Sequence, residues 1–182
     1  RAEDRFLNLP LEKVDPAKAR RRFPKQIRLI VLDFDGVLTD DRVWVNEKGE
    51  EMVAASRSDG MGLETLRHET DIEVMVLSRE SNPVVSARCE KLGLPVWQSV
   101  LKKGPAIREV LADKHLQPEE VLFVGNDIND LEGFPEVGFA VAPADAHAEV
   151  LRRADLILTR PGGKGAVREL CDMIMTRQKA TD

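Results

Sequence analysis

Two carboxylates, Asp33 and Asp35, close an unbroken apolar run in the stretch "LIVLDFDGVLTDD". A glycine, two apolar residues and Thr39 follow, and then two more aspartates. Like charges this close repel, and each raises the other's pKa. The cluster therefore needs a cation or a reaction that uses carboxylates. A hard cation such as Mg²⁺ takes oxygen ligands and usually keeps several waters. One carboxylate can also attack phosphorus as a nucleophile and form an aspartyl phosphate. Its neighbour can protonate the leaving oxygen and then take a proton from water. An isolated D-x-D is usually a capped turn. Directly after a buried strand and before G-V-L-T, the pair reads as chemistry.

The elements that must position these residues show in the patterning. "IRLIVLDF" is a continuous apolar strand, as expected where helices cover both faces of a sheet. "IEVMVLS" and "EVLFVG" read the same way, and "LPVWQ", "GFAVA" and "ADLILT" read as further strands. "RVWV" and "EEMVAAS" flank the turn "NEKG" and predict a β-hairpin. "GMGLETLRHE" has helical spacing, and "NPVVSARCEKLG" has proline near its start and glycine at its end. Residues 104–115 make another helix, and "GAVRELCDMIM" makes the last. Strand and helix alternate, which predicts an α/β fold around a mostly parallel sheet. Ligands bind such sheets at the carboxyl ends of the strands. There the sequence places Asp33 and Asp35, Ser78, and Asn126 with Asp127 and Asp130.

The 182 residues suit one domain with a sizeable core. A net charge of −5, 4% aromatics and no tyrosine argue against a nucleic-acid surface. No apolar run approaches the ~20 residues of a membrane span, and no signal peptide is visible. Cys89 and Cys171 lack metal-ligand spacing and read as buried free thiols, which fits a cytoplasmic protein. Residues 1–26 mix charges, three prolines and weak periodicity, and read as a linker or arm. Its basic "KARRRFPK" reads as a solvated, charged tether in preference to a partner-binding segment. The domain proper is expected over residues 27–177, with 178–182 as a tail.

At this point a resemblance becomes specific. "DFDGVLTD" resembles the first motif of the haloacid dehalogenase superfamily, D-x-D-G-x-x-T. Ser78 ends the second strong strand, where that family places a Ser or Thr that hydrogen-bonds the phosphoryl group. Lys103 in "LKKGPAI" is similar to the family lysine that neutralises phosphate and nucleophile. Lys102 fits less well by its spacing to "VGND". "VGNDIND" resembles the acidic fourth motif, with Asn126 where active phosphatases usually carry an aspartate. The resemblance spans residues 27 to about 177. It implies a Rossmann-like fold with a small hairpin flap and no large cap. It also implies Asp33 as nucleophile and Asp35 as acid/base, with Ser78 and Lys103 on the phosphoryl group. Mg²⁺ would lie among Asp33, the carbonyl oxygen of Asp35, Asn126, Asp127 and Asp130. An amide in place of a carboxylate at residue 126 removes one negative charge and weakens that site.

Finer features are similar to the capless phosphatases of 3-deoxy-octulosonate 8-phosphate and 2-keto-3-deoxy-nonulosonate 9-phosphate. They are equally similar to the C-terminal domain of some acylneuraminate cytidylyltransferases. The residues are "SDGMGL", "VAPADA" and "PGGKGAVREL". The resemblance implies a homotetramer in which the hairpin and C-terminal tail of one subunit help close a neighbour's site, which would make Gly162, Gly163 and Arg168 site-forming, with Thr39 of the first motif also at the substrate. Glu80, with Arg88 and Lys91 on the following helix, is similar to the nine-carbon group, and a basic pair suits a sugar-acid carboxylate. The bland alternatives are a turn at Gly162-Gly163 and an exposed charged helix face.

The first expectation is thus an Mg²⁺-dependent phosphatase of a nonulosonate 9-phosphate, with the octulosonate 8-phosphate as alternative. A second is an assembly module tethered through residues 1–26 to an upstream cytidylyltransferase. A phosphoacceptor receiver domain is disfavoured, because it needs its phosphorylated Asp on a later strand.

Overall fold

The computed structural model describes residues 21–179. Six strands form one sheet: β1 (Leu29–Leu32), β4 (Glu73–Leu77), β5 (Val96–Trp97), β6 (Val121–Val124), β7 (Phe139–Ala142) and β8 (Leu156–Ile157). Their spatial order is β5-β4-β1-β6-β7-β8, and every neighbouring pair is parallel. The expected mostly parallel sheet is therefore parallel throughout. Strands β2 (Thr39–Val45) and β3 (Glu51–Ala55) make a separate antiparallel hairpin with Gly49 at φ +77 in its turn. The helices are α1 (Arg57–Glu69), α2 (Pro83–Leu92), α3 (Lys103–Lys114), α4 (Ala148–Arg153) and α5 (Ala166–Lys179).

Side chains alternate across a strand, so a buried strand feeds two cores. Ile30 and Leu32 of β1 pack in one cluster with Leu63, Leu66, Val85, Leu170 and Ile174. Leu29 and Val31 pack in the other with Ile107, Val110 and Val150. Strands β4, β6 and β7 divide in the same way, which is why their sequences lack a polar face. Cys89 and Cys171 are buried free thiols, as their spacing predicts, and burial pushes both pKa values up.

The helix ends carry local signals. The Ser56 side chain accepts from the Ser58 and Asp59 amides at the start of α1. Asn82 caps α2 ahead of Pro83, and Gly93 ends that helix in the left-handed conformation. Residues 21–26, the described end of the arm, dock on the domain. Arg21 pairs with buried Asp155, and Phe23 packs edge-on against Phe139 at 5.1 Å. The rest of the basic segment up to Arg20 lies outside the described residues. No helix among the described residues is long and apolar enough to cross a membrane.

After β1 the chain builds β4 and β5 on one side, then crosses back to build β6, β7 and β8 on the other. The strand order thus reverses at β1, and a crevice opens at the carboxyl ends of β4, β1 and β6.

Candidate active site

Asp33 is the residue after β1, and its amide donates to Val124 O of β6 at 2.9 Å, extending the ladder by one position. Ser78 follows β4 and is held by its amide to Trp97 O. Gly125 and Asn126 follow β6. The three strand ends therefore meet, as the motifs required.

The centre of the site is a buried ammonium. Lys103, 1% exposed at the first turn of α3, lies 2.6 Å from both Asp33 Oδ1 and Asp130 Oδ1. Burial opposes its charge, but the two carboxylates more than offset that and raise its pKa. Two carboxylates share one ammonium, so one negative charge is left over. Burial and the neighbouring Asp130 push Asp33 up to about 7 against the pull of Lys103. Asp35 is pushed up to about 6, by burial first and then by Glu80 and Asp41.

The loop after Asp33 is tightly wound. Leu38 N donates to Phe34 O, and Thr39 Oγ1 accepts from the Gly36 and Asp41 amides. Gly36 has φ +75, and a Cβ there would lie 1.8 Å from Asn126 Nδ2. That contact is the physical demand behind the glycine of D-x-D-G. Gly162 and Gly163 press on the same loop from outside. A Cβ at Gly162 would lie 1.8 Å from Gly36 O, and Gly163 N donates to Val37 O. Asp145 Oδ1 accepts from Gly162 N, and Asp59 accepts from the Gly165 and Arg168 amides at the start of α5. The glycine pair is thus a backbone clamp on the Asp33–Asp35 loop.

A cleft of about 160 Å³ is lined by Asp33, Asp35, Asp41, Arg79, Glu80, Asn126, Asp127 and Asn129. A second pocket of about 290 Å³ adjoins it, between Asp35, Asp41, Glu51, Glu80 and Asn82, with Val43, Val53, Val84 and Val85 as apolar walls. Among the described residues, no three His, Cys, Asp or Glu side chains are arranged to hold a metal ion. The donor set still fits a hard cation. Asn126 is 7% exposed, its Oδ1 is buried without a partner, and it lines the cleft beside Asp33 and Asp35. Mg²⁺ needs only a few protein oxygens and completes its shell with water and phosphate.

Several expected residues have other work within this chain. Asp130 is fully buried: Oδ1 accepts from Lys103, and Oδ2 accepts from the Asn126 and Asp127 amides at 2.8 and 3.1 Å. It organises the loop and the lysine from behind, a role beyond the ligand position expected of it. Thr39 is likewise buried with its hydroxyl committed to loop amides, so it shapes the loop and is not in the cleft lining. Arg88 donates to Ser56 O at 3.1 Å, Lys91 is exposed, and neither lines the cleft. Arg168 Nε donates to both carboxylate oxygens of Asp172 at 2.9 Å. The structure brings Asp33, Asp35, Glu80, Asn126 and Asp127 into one cleft. Arg79 and Asp41 also line it and were missed. Each follows a motif residue by one or two positions, which was the available signal.

A family model described as haloacid dehalogenase-like hydrolase matches residues 78–170. The 3-deoxy-D-manno-octulosonate 8-phosphate phosphatase of Escherichia coli K12 is 37% identical over 159 residues, 87% of this chain and 84% of its own length. A HAD family hydrolase from Streptomyces avermitilis superposes with a TM-score of 0.79 at 43% identity, over 84% of this chain and 87% of its own. The octulosonate phosphatase of Moraxella catarrhalis, solved with magnesium, phosphate and KDO, has a TM-score of 0.80 at 29% identity, over 84% and 88% of the two chains.

Proposed function

This chain belongs to the haloacid dehalogenase-like hydrolase family and is a phosphatase of its capless group, and we propose that it releases the terminal phosphate of a sugar acid through an aspartyl phosphate on Asp33. The observation that carries this reading is the Asp33–Lys103 ion pair, buried at the end of β1 beside Asp35 and the unpartnered Asn126 side-chain oxygen.

Lys103 fixes the Asp33 carboxylate and balances charge as phosphorus approaches. The attack forms an Asp33–phosphorus bond and breaks the bond from phosphorus to the sugar oxygen. Asp35, held above the usual carboxylate range by burial, carries the proton to that oxygen. It then takes a proton from the water that cleaves the aspartyl phosphate. Ser78 Oγ accepts from Glu80 N at 3.1 Å, which leaves its own proton to donate to a phosphoryl oxygen. Asp33, Asn126 and the backbone carbonyl oxygen of Asp35, with Asp127 at the rim, would hold Mg²⁺, which supplies electrostatic stabilisation of the phosphoryl oxygens when bound; the Asp35 carboxyl stays free for proton transfer.

The adjoining pocket supports a polyhydroxylated leaving group. Glu80, Glu51 and Asn82 offer acceptors for hydroxyls, and the valines offer an apolar floor. Arg79 is the basic residue of the cleft lining, next to Glu80, which lines both cleft and pocket, and can meet an anionic group of the substrate there. Glu80 supports the nine-carbon acid phosphate, whereas the curated relatives are named for the eight-carbon one. The bare cleft also supports association. Trp44 and Met52, paired across the hairpin on the face away from Val43 and both more than half exposed, form a patch suited to copies of this chain assembling as a homotetramer.

The test is phosphate release with Mg²⁺ from the nine-carbon acid phosphate, the eight-carbon acid phosphate and an aryl phosphate. Release from a sugar-acid phosphate well above the aryl rate is expected, with the nine-carbon substrate preferred. Preference for the eight-carbon substrate removes the Glu80 argument alone. No sugar-acid turnover at saturating Mg²⁺ overturns the proposal.

A further inference from the structure

Asp41 is in an unfavourable position on two counts. Its backbone sits at φ +62, a left-handed conformation that aspartate enters more readily than most residues but that is still not its preferred backbone. Its carboxylate has no hydrogen bond or ion pair among the described residues and faces the like charges of Asp127, Asp145 and Asp40. The conformation is nonetheless pinned, because Thr39 Oγ1 accepts from the Asp41 amide at 3.3 Å. Strain and repulsion that persist together at the rim of a site point to a functional demand.

The demand comes from residue 126. Asn126 is more than nine-tenths buried, lines the same cleft, and leaves its Oδ1 without a partner. As a neutral amide it contributes no charge to a cation. Asp41 lines both the cation cleft and the leaving-group pocket, so the residue sits where the two meet.

We propose that Asp41 is a charge-supplying residue of the cation site, held in the cleft by its strained backbone to offset the neutral Asn126. The inference rests on the reading of the cleft as the Mg²⁺-binding site of a phosphatase. Asp33, Asn126 and the backbone carbonyl of Asp35 would contribute ligands to the cation, and Asp41 would supply charge from across the cleft.

Calorimetric titration of the full chain with Mg²⁺ alone tests this without any turnover. Asparagine tolerates the left-handed region, so Asp41→Asn removes the charge and keeps the backbone. The Mg²⁺ Kd should rise about five- to tenfold, as expected for one charge acting over several ångströms in partly wet surroundings. The melting temperature of the metal-free variant should hold or rise, because a repulsion is gone. Asn126→Asp in the Asp41→Asn background should return the Kd to within about twofold of wild type. If wild type binds Mg²⁺ and Asp41→Asn binds it equally well, the proposal falls and the phosphatase reading stands. The same holds if the variant only loses stability. If wild type binds no Mg²⁺, the cation reading of the cleft fails and takes the proposal with it.

Discussion

Replacing Gly162 by alanine places a methyl carbon 1.8 Å from Gly36 O, 2.5 Å from Gly36 C and 3.1 Å from Thr39 O. These are backbone atoms, so no rotamer change relieves the clash. Ordinary contact begins near 3.4 Å, and the two segments must separate by roughly 1.5 Å to reach it. The segment that moves carries the Asp33–Asp35 loop at one end and the α5 clamp at the other. Overpacking of this kind costs about 1–3 kcal/mol of stability. A displacement of about 1 Å at reacting groups costs about a hundredfold in rate. Gly162→Ala should therefore lower kcat by about two orders of magnitude and lower the Tm by several degrees. Gly49→Ala is the control, since that residue has φ +77 in the hairpin turn and open space around it. It should lose stability by backbone strain of about 1 kcal/mol while kcat holds. Steady-state phosphate release and thermal melts on the three proteins decide the matter. A Gly162→Ala enzyme that melts low and keeps kcat within twofold of wild type refutes the clamp.

Asp130→Ala leaves Lys103 with one carboxylate and strips the Asn126 and Asp127 amides of their acceptor. A stability loss of about 3 kcal/mol is expected in urea melts, and an unchanged midpoint contradicts the role assigned to Asp130. Glu80→Arg should shift the kcat/KM ratio toward the eight-carbon acid phosphate by about tenfold, the worth of one charge-assisted hydrogen bond. An unchanged ratio removes Glu80 as a selector. Without Mg²⁺, folded Asp33 has its pKa pushed from 3.8 to about 7 by burial and then by Asp130. The folded state then binds a proton that the unfolded state has released, so this contribution to stability is lost as pH rises from about 4 through about 7. Chelated thermal melts should show wild type gaining on Asp33→Asn as the pH falls toward about 5, and a pH-independent difference contradicts the burial of that charge.

The sheet was legible because strands buried on both faces write long apolar runs, and their last residues are then conspicuous when polar. Asp33, Ser78 and Asn126 stand out for that reason, and Gly36 follows from the same local pattern. Arg88 and Lys91 were not legible in the same way. Their spacing fixes a helix face but not what that face meets, and Arg88 is taken up by Ser56 O of another helix. Asp130 could not be separated from the ligand set either, since its second role depends on Lys103 arriving from a different element. The glycine pair at 162 and 163 reads as a turn until the loop after β1 is seen lying against it. Asp41 was hidden by the opposite problem, because one aspartate among four near neighbours gives no sign of its backbone strain.

Covalent capture of the intermediate tests the central claim most directly. Hydride reduction during turnover converts an aspartyl phosphate to homoserine, which peptide mass spectrometry locates by position. The account expects homoserine at residue 33, dependent on both Mg²⁺ and the sugar-acid phosphate, and none in Asp33→Asn. Homoserine at residue 35, or turnover at full rate with no trapped Asp33, would contradict it.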